Sequence, residues 1–427
     1  MKKILYVSRP IAPPWDEASK NFAYNLAKEI ASKNPSPPTP LPKREGDSSG
    51  FEIHMMTKGK LEGLPKNIIQ EDIYTSSEKD FRFLQKIRLF WFLFRNAKNF
   101  DIIHLFFTPT KFNSFVLKRM LKPSSFRKGG DGGGFENNNK PGNSQKNENL
   151  SNSPQPPFSK GGGVKIVQTI ATLREDLFSE KELKKMIFGD IIATYSEYAK
   201  NKLEGLGFKN TVKIYPGIDI KDYQPKEKSG SLLKKYGFSK DDFIINFTGE
   251  YVRLGAMDDI INSFIEVSQK VPNARLSLAV RIKNEKDAKK KEEVIKKLEE
   301  NGLLEKVSFH DDGKYAMSDI YNLCDISLFP VRNMQGKFDV PLAVIEAMAC
   351  AKPVVISDIP ILKEFSNKEN SIRVRAGNVG DITDAILTLY NDEERRKYVR
   401  TYARTYVEEN FSLEKAAKKY SETYNNL

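Results

Sequence analysis

Lys337 to Asp358 reads K-F-D-V-P-L-A-V-I-E-A-M-A-C-A-K-P-V-V-I-S-D. Asp339 suits a helix cap and Pro341 a first helical turn, so a helix is expected from there through the apolar run. Pro353 to Ser357 is β-branched and bounded by Pro and Asp, which reads as a buried strand. A helix feeding a buried strand is the repeating unit of an open α/β sheet. Between Pro341 and Ala351 the single polar side chain is Glu346. A helix apolar on nearly every side is buried, and a buried polar group without a partner costs roughly 2–7 kcal/mol. Either a protein donor satisfies Glu346 or a ligand does. The N-terminus of such a helix lies beside the carboxyl ends of parallel strands, where open α/β sheets hold ligands, and this favours the ligand.

The same alternation runs outward from this stretch. Strands are expected near residues 4–8, 51–57, 101–107, 164–170, 191–196 and 212–215. A second series is expected near 243–248, 274–280, 307–310, 326–330 and 353–357. Helices such as Ser19–Ala31 and Glu197–Leu206 fill the gaps. Alternation of this kind means parallel sheets with right-handed crossovers, and two series mean two Rossmann-like domains. The domains are drawn at 1–225 and 226–408, with a polar linker region over Lys226–Ser239. A last helix, 409–427, is expected to return to the first domain.

Two segments break the pattern. Residues 34–50 and 123–163 are rich in Pro, Gly, Asn and Ser and poor in apolar residues. They cannot offset their own ordering entropy and are expected to be disordered inserts. Removing them joins helix to strand at ordinary loop lengths.

Composition bounds the rest. The 427 residues are 39% hydrophobic and 29% charged, with a net charge of +13, so the chain is globular and basic. No helix-turn-helix, zinc-finger or RNA-binding signature accompanies that charge, and no nucleic-acid partner is expected. An anionic substrate or an anionic membrane surface remains. Cys324 and Cys350 sit in apolar contexts without disulfide or zinc spacing, which fits a reducing cytoplasm. The N-terminal M-K-K-I-L-Y-V-S is read as a first strand, too short for a signal peptide. Phe81–Lys98 mixes aromatics with Arg and Lys. It reads as a core helix with basic residues outward, or as a helix lying on an anionic membrane.

Four motifs sit together in order: I-A-T-Y-S-E-Y-A-K (Ile192–Lys200), I-Y-P-G-I-D (Ile214–Asp219), V-I-E-A-M-A-C-A-K-P-V-V-I-S-D (Val344–Asp358), and the tail D-A-I-L-T-L-Y-N-D-E-E-R-R-K-Y with E-N-F-S. With them the chain resembles the family-4 retaining glycosyltransferases of the GT-B fold, over its whole length apart from the inserts. The resemblance implies two Rossmann-like domains facing across a cleft. It implies transfer of a sugar from a nucleotide-diphosphate donor to a glycan or lipid-linked acceptor, as in cell-envelope polysaccharide synthesis. No metal and no organic cofactor are implied, and the location is cytoplasmic or peripheral at the inner face of the membrane. Glu346 would then bind the ribose hydroxyls, with Val340 and Leu342 facing the sugar and diphosphate and Gly249 closing the donor site.

The chain also departs from that pattern. The family carries a second Glu eight residues before the ribose Glu; here Phe338 stands there, with Asp339 beside it. Asp339 either takes that sugar contact or caps the helix. The family's diphosphate-binding Arg and Lys correspond to Glu250 and Gly255, leaving Arg253 and Arg281 as replacement cations or as surface residues. In the first domain, Trp15, Asp16, Glu17 and Ser19 occupy the turn after the first strand, an acceptor-side position, and Ser19 is alternatively a helix cap. The catalytic candidates are Asp16 and His104, although a lone His is more often a core residue. Phe106 and Ala171 stand where the family has His. A non-catalytic homologue and a nucleotide-sugar epimerase are the rival readings.

Overall fold

The computed structural model describes residues 1–13, 17–33, 50–76, 83–106, 110–122, 163–311, 313 and 315–427. The two expected inserts lie outside the described residues, apart from Gly50 and Gly163 at their ends. The strands are β1 Lys2–Ile11, β2 Phe51–Thr57, β3 Ile68–Asp72, β4 Ile102–Leu105, β5 Lys165–Ile170, β6 Ile191–Thr194, β7 Thr211–Lys213, β8 Phe243–Gly249, β9 Ala274–Val280, β10 Val307–Phe309, β11 Ile326–Phe329, β12 Val354–Ser357 and β13 Ser371–Val374. The helices are α1 Ala18–Lys33, α2 Phe83–Asn96, α3 Lys111–Leu121, α4 Glu180–Met186, α5 Glu197–Gly205, α6 Gly230–Lys235, α7 Met257–Lys270, α8 Glu285–Glu300, α9 Met317–Leu323, α10 Leu342–Ala349, α11 Val379–Asn391, α12 Glu393–Asn410 and α13 Leu413–Asn425.

They build two all-parallel sheets, in the orders β3-β2-β1-β4-β5-β6-β7 and β10-β9-β8-β11-β12-β13. Both faces of such a sheet are covered, so its central strands are largely apolar: Ile4–Val7 and Phe243–Phe247 are buried throughout, with the polar Asn246 among them. Each sheet reverses its strand order once, at β1/β4 and at β8/β11. Ligand crevices of open α/β sheets lie beyond the carboxyl ends of strands at such a reversal.

Two strands go beyond the expected set. β3 (I-I-Q-E-D) and β13 (S-I-R-V) are edge strands, paired on one side only with β2 and β12. Edge strands need less apolar sequence than central ones, and these two carry too little to be read alone.

The chain crosses between domains twice, and the crossings pair. Ile218 N donates to Phe411 O at 2.8 Å and Leu413 N to Ile218 O at 3.1 Å. A side chain at Gly217 would put its Cβ 2.3 Å from the Leu413 Cα, so only glycine fits this approach. The second crossing leads into α13, which packs on α1 and buries Tyr420 and Tyr424 in the first domain. Lys2 Nζ donates to the Tyr424 carbonyl at 3.0 Å.

Candidate functional site

Helix α10 carries Glu346 as expected, but it is not enclosed on every side. Val344, Ile345, Ala347, Met348 and Ala349 are buried, whereas Leu342, Ala343 and Glu346 keep some exposure. Their i, i+1, i+4 spacing makes one narrow open stripe. The partners of Glu346 are tyrosines. Tyr321 of α9 donates to its Oε2 at 3.2 Å, and Tyr223, in the segment between β7 and α6, also bonds to it. Burial pushes the carboxyl up to about 7, with the two hydroxyls only partly offsetting it. No cation pairs with Glu346 among the described residues.

Of the two sequence expectations for Asp339, the helix cap fails: Asp339 does not cap α10, whose N-cap is Pro341 with no side-chain cap bond. Instead it joins the domains: its backbone N donates to Ala171 O at 3.0 Å, and its Oδ1 accepts from Leu173 N at 3.2 Å. Oδ2 is buried with no hydrogen-bond partner, and burial pushes the carboxyl up to about 8. Val340 beside it is buried. Gly249 ends β8, where a Cβ would lie 2.4 Å from the Phe247 ring.

Just beyond β8, Glu250 is buried inside a ring of cations. Lys283 Nζ lies at 2.6 Å, Lys337 Nζ at 2.5 Å and Arg253 Nε at 3.1 Å. Burial alone would raise the Glu250 carboxyl, but the hydrogen bonds from Lys283 and Lys337 hold it below its usual range. Burial in turn pulls the Lys337 ammonium down. Three cations on one carboxylate leave a net charge of +2 at the end of β8. Arg253 also donates to the Gly336 carbonyl at 3.4 Å. Arg281 does not join the ring; it is exposed, and Lys283 two residues on reaches Glu250. Sequence reasoning missed Lys283 and Lys337. The available signal was that Glu250 itself, replacing a cation, required compensation.

His104 is a correction. It is fully buried on β4, with Nδ1 2.6 Å from Tyr424 Oη and Nε2 2.7 Å from Thr169 Oγ1. Burial holds its pKa well below the usual value, so it stays neutral. Both ring nitrogens are engaged inside the core, and none is left to meet a substrate. Trp15 and Asp16 lie outside the described residues. Glu17, not Ser19, caps α1: its Oε2 accepts from Lys20 N at 2.9 Å and from Ser19 Oγ at 2.7 Å.

Glu17 and Ser19 line an open cavity of about 580 Å³. Its walls include Phe106 and Ala171 from the first domain and Gly336 and Phe338 from the second. Lys337, flanked in sequence by the wall residues Gly336 and Phe338, links the cavity wall to the Glu250 ring. Arg174, fixed by Asp176 at 2.8 Å through both Nε and Nη2, closes the same corner.

Two facing parallel sheets joined by a paired double crossing can be compared as a whole with solved structures. Anabaena HepE, solved in complex with UDP and glucose, superposes with a TM-score of 0.68 at 16% identity, covering 100% of both chains. Sucrose-phosphate synthase from Thermosynechococcus elongatus gives 0.67 at 15%, covering 100% of this chain and 99% of that one. The fold is GT-B. Within it, residues 242–392 match the family Glycosyl transferases group 1. That span of the GT-B chain holds Gly249, the Glu250 ring, Asp339 and Glu346. Among curated relatives, a GDP-mannose-dependent monoacylated alpha-(1-6)-phosphatidylinositol monomannoside mannosyltransferase of Corynebacterium glutamicum is 23% identical over 53% of this chain and 59% of its own length. A D-inositol 3-phosphate glycosyltransferase of Rhodococcus erythropolis is 25% identical over 49% and 47%. The alignments thus span about half to six-tenths of these two relatives.

Proposed function

We propose that this chain is a retaining glycosyltransferase of family 4. It transfers a hexose from a nucleotide-diphosphate-sugar donor to a glycan or lipid-linked acceptor, without a metal or organic cofactor. The observation that carries the reading is Glu346: a recessed carboxylate on the open stripe of α10, held by tyrosine hydroxyls and no cation. A ribose diol supplies the two donors it lacks. The ring of Lys283, Lys337 and Arg253 supports the same reading, because a diphosphate needs cations beside that diol. Arg281 stands outside this ring. Val340 and Leu342 border the donor, and Asp339, with its unpartnered Oδ2, faces the sugar. Glu17 and Ser19 belong to the acceptor side, and with Phe106 and Ala171 standing in place of His the donor phosphate serves as the base. The chain's place is the cytoplasm, peripheral to the membrane, and the buried free cysteines fit a reducing compartment. Phosphatidylinositol mannoside in the name of one relative supports the lipid-linked class of acceptor.

The replacement of two His positions by Phe106 and Ala171 in the cavity wall favours one rival, a non-catalytic nucleotide-sugar binder. One experiment separates them. The protein is titrated with UDP- and GDP-sugars, and the best binder is then followed by NMR for hydrolysis. Binding with slow release of an α-sugar from an α-linked donor is the expected result. Binding without turnover under any acceptor supports the rival. An isomerised nucleotide sugar would mean an epimerase, and no binding at all would overturn the donor site.

A further inference from the structure

Helix α2 has two apolar faces, and among the described residues only one of them packs. Leu89 and Leu93 are buried. Phe83, Leu84, Ile87, Trp91 and Phe94 face outward, from 46% to 73% exposed. Their spacing places them along one stripe of the helix. On α3, Phe112 and Phe115 are 61% and 56% exposed. The Phe90 and Phe112 rings lie 6.5 Å apart, so the two surfaces adjoin. Single exposed apolar residues are ordinary, but seven large ones on adjoining helices form a patch that marks an interaction site.

The surroundings of the patch are cationic. Helix α2 carries Lys86, Arg88 and Arg95, helix α3 carries Lys111, Lys118 and Arg119, and neither has an acidic residue. Lys111 pairs with Glu182 of α4. The Arg95 guanidinium lies over the Trp91 ring, 4.4 Å from its centroid. An aromatic body with a charged tip is suited to the boundary between hydrocarbon and headgroups. We propose that this face of α2 and α3 docks on an anionic lipid bilayer and presents the neighbouring cavity to a lipid-linked acceptor.

Charge selects the occupant. A second copy docking the same face by two-fold symmetry would set these cations against their own copies, which is repulsive. An anionic headgroup layer complements them, at about fivefold in affinity for each cation near the surface. The aromatic stripe enters the interface, and α2 lies on the membrane without crossing it. Lys86, Leu89 and Phe90 of α2, with Asn113 and Leu117 of α3, line the 580 Å³ cavity. Docking by these helices therefore brings the cavity to the lipid surface. The acceptor clause rests on the glycosyltransferase reading; the docking clause does not.

The test is co-sedimentation of the full chain with vesicles of phosphatidylcholine alone and of phosphatidylcholine mixed equally with phosphatidylglycerol. The wild type is expected to pellet with the anionic vesicles and to be released by high salt. The double variant Trp91→Glu, Phe94→Glu is expected to bind them at least about tenfold more weakly. Its melting temperature and donor binding in solution are expected to stay at wild-type values, because both side chains are exposed. A wild type left in the supernatant, or a double variant that pellets equally well, overturns the proposal. So does a concentration-dependent dimer that the double variant abolishes. Donor binding in solution keeps the two readings apart. Vesicle binding without any nucleotide-sugar binding removes the glycosyltransferase reading and leaves the docking surface.

Discussion

His104 and Glu346 are polar side chains set in apolar surroundings, one in each domain. The first sits on a central strand and uses both ring nitrogens, at 2.6 and 2.7 Å, on Tyr424 and Thr169. The second sits on the open stripe of a helix and has neutral hydroxyls at best, with Tyr321 at 3.2 Å. Partners decide what a buried polar group is for. His104 is complete within the protein, and it pins the returning helix α13 to the first sheet. Glu346 is incomplete, and burial without a cation lifts its carboxyl to about 7. A satisfied group contributes to the fold, while an unsatisfied one holds a cost that a ligand can relieve.

The largest expected effect falls on the satisfied member. His104→Ala opens a void and strips a partner from Tyr424 and Thr169, and should cost about 3 kcal/mol of stability. Donor affinity of the folded fraction should stay unchanged. Chemical denaturation with donor titration measures both, and a stable variant that no longer binds donor would break the contrast. Glu346→Gln should behave in reverse. The apo melting temperature should hold or rise, while donor binding weakens by roughly 1–3 kcal/mol, because a buried diol meets an imperfect partner. A large fall in melting temperature at unchanged donor affinity would make Glu346 as structural as His104.

The cation ring offers an intermediate case. Lys283→Ala should weaken binding of the nucleoside diphosphate by about 1.5 kcal/mol and leave nucleoside binding alone. Equal losses for both ligands would mean that Lys283 only holds Glu250 in place. The smallest effect is on pH dependence. A folded carboxyl held near 7 keeps a proton that the unfolded chain releases in the ordinary carboxylate range. Apo stability therefore falls as pH rises from that range through about 7. Donor affinity runs the other way, since the diol needs the ionised acceptor, and should gain about tenfold, or about 1.4 kcal/mol, between pH 6 and 8. Calorimetry across that range checks it, and the gain should vanish in Glu346→Gln.

Much of the architecture could be read without coordinates, because parallel strands buried on both faces must be written as apolar runs. The series from Ile4 and from Phe243 gave two sheets, and the run around Glu346 gave a polar group in need of a partner. Edge strands β3 and β13 escaped because they need so little apolar sequence. Charge partnerships escaped for a different reason. Lys283 and Lys337 lie 33 and 87 residues from Glu250 along the chain, and nothing local in sequence marks a lysine that will reach a distant carboxylate. The same holds for His104, whose role depends on Tyr424, 320 residues away. Hydrophobic periodicity is a local property, so the sequence by itself determined the strands, the helices and the carboxylate on α10. Partnership is a long-range property. Only the packing of α13 and of the two strand ends could decide that His104 belongs to the core, that Asp339 joins the domains, and that Glu346 is left facing tyrosines.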